Sequence, residues 1–168
     1  MIRYGWAPTL QWRTHTVSGS SEFRLPPEEG PDAYYGPGFL DHLIARRQRG
    51  ASPAELVDML CLADLGPILE DPLRHVPYYV RLLTADAQSR DNLSEGARIY
   101  DRFNEQVLRE ILTGSSLDGD DAALHVLRMA FAVNAHGTLI ECLKGEDRAA
   151  LLEAGRLQRQ SILRQLMS

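Results

Sequence analysis

The sequence predicts an all-α fold, a bundle of about six helices. Three observations carry that prediction. Apolar residues recur at helical spacing through the last two thirds of the chain. A complete helix-start signal stands at Ser52-Pro53-Ala54-Glu55. No strong strand pattern follows residue 35. A chain of 168 residues is long enough for one domain with a sizeable core. Its hydrophobic share of 44% and charged share of 24% are those of an ordinary globular protein, not of a disordered one.

Taken in order, residues 1–32 differ from the rest. They hold both tryptophans, Trp6 and Trp12, prolines including Pro8, Pro26 and Pro27, and a Ser18-Gly19-Ser20-Ser21 stretch. Leu10 to Val17 alternates weakly and is rich in Thr and aromatics. The segment therefore reads as an extended or short β-like arm or lid, turned back at Ser18 to Ser21. A lone hairpin is marginal in water, so the arm would lie on the helical body or pair with another subunit. The turn-rich Asp32 to Gly38 joins it to the domain predicted for residues 33–168.

A helix is expected from about Phe39 to Arg49, stopped by Arg46, Arg47 and Arg49 followed by Gly50. Ser52 is the N-cap of the next helix, Pro53 its first residue and Glu55 the partner in a capping box. Gly66-Pro67 is expected to kink or end that helix, because Pro67 lacks a backbone N–H and its ring clashes with the preceding turn. Asp71-Pro72 opens a further helix running to about Ser89, with Arg90-Asp91-Asn92 as the connection to a long helix at about 93–112. Asp118 or Asp120 caps a helix at about 120–143, and a last helix spans about 147–167.

The 120–143 helix is apolar on two faces. Leu124, Leu127, Phe131 and Ala135 form one stripe; Val126, Met129, Val133 and Ile140 form another. A helix that only covers a core shows one stripe and a polar back. Two stripes imply burial from two sides, by its own domain and by a second copy of the chain.

The net charge of −5 argues against a generally basic nucleic-acid binder. Cys61 and Cys142 sit in apolar helical patterns and read as buried free thiols. No apolar run is long enough for a leader or a membrane span, so a cytoplasmic, membrane-free protein is expected. His15, His42, His75, His125 and His136 have no metal-ligand spacing, and no metal or cofactor is expected.

The order of elements resembles the C-terminal, ligand-binding domain of the TetR-like (tetracycline-repressor-type) family. The resemblance covers roughly residues 33–167. Three stretches carry it: Ala33-Tyr34-Tyr35-Gly36 leading into Phe39-Leu40-Asp41-His42-Leu43; Glu70-Asp71-Pro72 followed by Val80 to Ala87; and Leu151 to Leu166. It implies a pocket between the middle helices and a homodimer formed through helices 120–143 and 147–167. The 32 residues before the domain are not basic and do not read as a helix-turn-helix head, so no nucleic-acid binding is expected.

The ligand implied is a small hydrophobic molecule. Tyr78, Tyr79, Tyr100, Arg102, Phe103, Phe131, Asn134 and His136 are the expected binding residues. Should the fold catalyse a cyclisation or isomerisation, His136, Tyr79 and His42 are the candidate acids or bases. Packing alone would equally account for the tyrosines, and a satisfied core or interface position for His136. A regulator with an aberrant head is the remaining alternative.

Overall fold

The computed structural model describes residues 35–77 and 87–168, with the backbone alone described for 87–97. The arm predicted for residues 1–32 lies outside the described residues, as do Tyr78 and Tyr79. Five helices are described: α1 (Phe39–Gln48), α2 (Pro53–Glu70), α3 (Ala87–Leu112), α4 (Asp121–Leu143) and α5 (Arg148–Met167). Residues 72–77 are helical as well, and no strand occurs among the described residues. The all-α bundle is therefore as expected. No helix among those described is long and apolar enough to cross a membrane.

The helix ends follow local chemistry. At the start of α2 the Ser52 side chain accepts from the Glu55 amide while the Glu55 carboxylate accepts from the Ser52 amide, with Pro53 as first residue. Gly50, at φ 87°, ends the preceding turn where a side chain would be strained. Asp71 caps the helical residues 72–77, its carboxylate accepting from the Arg74 amide. Asp120, not Asp118, is the N-cap of α4, accepting from the amides of Ala122 and Ala123. Asp118 instead accepts from the amide of Gly114 and closes the α3–α4 turn. Asp147 caps α5 through the Ala150 amide. Replacing Asp120 by Ala leaves two amides without their acceptor. We expect a loss of about 1 kcal/mol in urea unfolding.

One expectation is narrowed and one corrected. Of the two outcomes expected at Gly66-Pro67, a kink or an early end, the early end does not occur, and α2 runs on to Glu70. A proline this close to the C-terminus costs one internal bond, and its own carbonyl still accepts from the Asp71 amide. Residues 90–92 are not a connection: α3 begins at Ala87 and passes through them. A polar run reads as a loop, but a helix tolerates it wherever the residues need no burial.

Helices α2, α4 and α5 pack on one another, and α1 and α3 close one end of this trio. The core falls into two apolar parts. The larger joins Leu43, Leu56, Leu60, Val107, Leu108, Ile111, Leu127, Phe131 and Leu163, with Tyr35 at its edge. The smaller joins Cys61, Leu65, Ile68, Leu69, Leu139 and Cys142. Both cysteines are buried free thiols. Ion pairs clip the outside: Arg47 to Glu110 between α1 and α3, and Arg156 to Asp58 between α5 and α2.

Of the two apolar stripes of α4, the chain itself buries one. Leu124, Leu127 and Phe131 are buried and Ala135 is half-buried, whereas Val126, Met129, Val133 and Ile140 face outward.

Candidate functional site

Between the two apolar parts lies a polar layer, and its centre is Arg159. On α5 the inward line is Gly155, Arg159, Leu163, so the arginine occupies a core position and none of it is exposed. A guanidinium held there must find acceptors from its neighbours, because an unpaired buried charge is costly. Its Nε donates to Asn134 Oδ1 at 2.8 Å, and its Nη2 donates to Asp64 Oδ2 and, at 3.3 Å, to the Phe131 carbonyl. The guanidinium also lies over the Phe131 ring, 4.7 Å from its centroid, where the ring quadrupole attracts a cation. Its third nitrogen, Nη1, is buried and has no hydrogen-bond partner among the described residues.

The layer extends both ways. Asn134 donates through Nδ2 to Gln158 Oε1 at 2.7 Å, toward the α4–α5 surface. On the other side Tyr35 Oη lies 3.4 Å from Asp64 Oδ1 and donates to Asn104 Oδ1 at 2.7 Å. Tyr35 stacks on Phe39 and Phe103, with centroids 5.6 and 5.1 Å away, and Tyr100 leans on it at 6.3 Å. One chain of polar contacts thus touches α2, α3, α4 and α5 and ends in an aromatic cluster.

The helices approach closely beside this layer because α5 carries Gly155 there. A Cβ on Gly155 would stand 2.5 Å from Leu65 Cδ1 and 3.4 Å from Asn134 Oδ1. No real Cβ tolerates the first distance, so glycine sets the α2–α5 spacing at which Arg159 reaches Asp64.

The predicted residues distribute as follows. Phe131 and Asn134 are buried and belong to the Arg159 layer. Tyr100 and Phe103 are half-buried and belong to the aromatic cluster around Tyr35. Arg102, His42 and His136 are exposed. His136 lies on the outward face of α4 and His42 on α1, and neither is among the hydrogen-bond partners of Arg159. Arg159, Asp64, Tyr35 and Asn104 are functional candidates that sequence reasoning misses. A signal for Arg159 exists, since it falls on the line Leu152, Gly155, Arg159, Leu163, spaced three or four apart. A charged residue on such a line must be paired.

Cys61, on α2 one turn before Leu65, is the nearest thiol in sequence to Asp64. Burial pushes its pKa up to about 11, with Arg159 opposing that shift more weakly. It stays a thiol at neutral pH and is no nucleophile. Burial likewise lowers the pKa of His75, near the end of the same region, so its neutral form is favoured. Among the described residues no group of three His, Cys, Asp or Glu side chains is placed to hold a metal ion.

The fold and the layer together define a helical bundle built around a buried arginine. No protein-family model matches this chain, and neither does any curated protein or solved structure.

Proposed function

We propose that this chain is a homodimeric, TetR-like binding domain that holds a small hydrophobic molecule inside its bundle and does not bind DNA. One observation carries the reading. A buried guanidinium keeps one amino group uncommitted, Nη1 of Arg159, in a polar layer between two apolar parts of the core. Small-molecule sites have this composition: apolar and aromatic walls with a few fixed polar groups. A buried donor without an acceptor in the protein asks for one from outside it. Asp64 already balances the charge of Arg159, so the complementary group is a neutral acceptor, a carbonyl or hydroxyl oxygen, on an apolar frame.

An enzyme of the same fold would need a proton donor or base beside the bound molecule. The exposed positions of His42 and His136 and the raised pKa of Cys61 favour binding over turnover. The acidic net charge of −5 supports a domain that does not track phosphates.

Native mass spectrometry of protein purified from its own host tests the proposal. The expected result is a dimer carrying an extra small-molecule mass that is released on denaturation. A dimer at the bare mass of two chains, unchanged after incubation with a panel of apolar ketones and alcohols, would remove the ligand from the proposal.

A further inference from the structure

The outward face of α4 carries more than its four predicted apolar residues. Val126, Val133 and Ile140 recur every seven positions, and so do Met129, His136 and Leu143. These two sets are the a and d positions of a heptad seam. The five apolar members are each between 45 and 62% exposed. They run along about 26 Å of helix. Between Arg128 and Glu141 the helix has no charged residue, although a solvated face normally carries several.

Gly137 is a second feature of this face. It lies inside α4, where glycine costs stability relative to alanine. Nothing among the described residues requires it: beyond its own stretch of helix a Cβ there would meet no atom within 4 Å, and its φ is not positive. Gly155 is explained by Leu65, but Gly137 has no such neighbour among the described residues. A second helix crossing close to α4 supplies the missing reason.

We infer that α4 pairs with α4 of a second copy, antiparallel and about a twofold axis, through Val126, Met129, Val133, His136, Ile140 and Leu143. This rests on the homodimer proposed above and fixes its seam. Antiparallel pairing sets a positions against d positions. Val126 comes level with Leu143 of the partner subunit, Met129 with Ile140 of the partner subunit, and Val133 with His136 of the partner subunit. The stripe is thus complementary to itself, as a twofold interface requires. A parallel pair would stack His136 on its own copy and bring the two Lys144 ammonium groups to the same end. The antiparallel pair separates both. The five apolar side chains leave on the order of 450 Å² uncovered per copy. The exposed Ala122, Ala132 and Gly137 carry the patch toward the ~800 Å² per partner that a stable interface buries.

Sedimentation velocity in the micromolar range, with circular dichroism as the fold control, tests the seam. The wild-type chain should sediment as a dimer. Val133→Glu and Gly137→Leu both change exposed positions with room in the monomer. Each should weaken association at least tenfold while leaving the helical spectrum unchanged. A short thiol–thiol crosslinker should join Met129→Cys chains to Ile140→Cys chains, and should not join Ile140→Cys chains to each other. Self-linking of Ile140→Cys would overturn the antiparallel register. A dimer indifferent to both Val133→Glu and Gly137→Leu would overturn the seam and leave the homodimer standing. A wild-type monomer would overturn both.

Discussion

Replacing Arg159 by Met should cost about 3–5 kcal/mol of stability in equilibrium urea unfolding, the range found when one partner of a buried ion pair is removed. The side chain is fully buried, and its loss removes the cation that faces the Asp64 carboxylate and the donor that Asn134 Oδ1 accepts from. The reverse truncation, Asp64→Leu, should be comparably damaging because it leaves the guanidinium without its counter-charge. The double variant Arg159→Met with Asp64→Leu should recover most of the loss, since a well-packed apolar pair of similar volume often matches a buried ion pair. Additive single costs would show that the two groups do not interact, and the polar layer would lose its meaning as a unit.

The second large effect is expected at Gly155. Gly155→Val should cost about 1–3 kcal/mol, because the added atoms must displace the end of the Leu65 side chain, itself fully buried. Helix propensity opposes this only weakly, by about 0.5–1 kcal/mol for a non-glycine residue. Combining Gly155→Val with Leu65→Ala should return part of the loss by making room. The same Gly→Val change at Gly137 should leave the unfolding free energy of the monomer nearly untouched, since no atom of another described element stands in the way. That contrast between two helical glycines, read by urea unfolding of the two variants under dissociating conditions, separates internal packing from external contact.

Much of the scaffold is legible in the sequence because it is written in local signals. The Ser52–Glu55 box and the Gly50 stop each act within four residues and stand where the spacing predicts, and the Asp120 cap is one of the two the sequence offers. The two faces of α4 are legible because a helix maps residue spacing onto direction. The polar layer is less so. Asp64 and Arg159 are 95 positions apart, and nothing local announces that a charged residue on α5 turns inward; charged residues face water by default. Tyr35 sits in a turn-rich joint, which hides its role as the core's edge and as a hydrogen-bond donor to Asn104. Phe131 and Asn134 are found in sequence because a polar residue inside an apolar helical field is conspicuous, whereas an arginine among the glutamines of α5 is not. Pro67 and residues 90–92 mislead for the same reason: a breaker or a polar run is judged without knowledge of how close the helix end or the solvent is.

The division of the core by the Arg159 layer also bears on how this sequence can change over generations. In the two apolar parts, one leucine can give way to isoleucine or methionine at modest cost, so those positions can drift singly. Asp64, Asn134 and Arg159 have no such freedom: each intermediate with one member changed carries a stranded polar group. Descendants of this chain should therefore keep the three together or exchange them together, as a block inherited whole, and Gly155 should travel with them because it holds the helices at the distance the block requires.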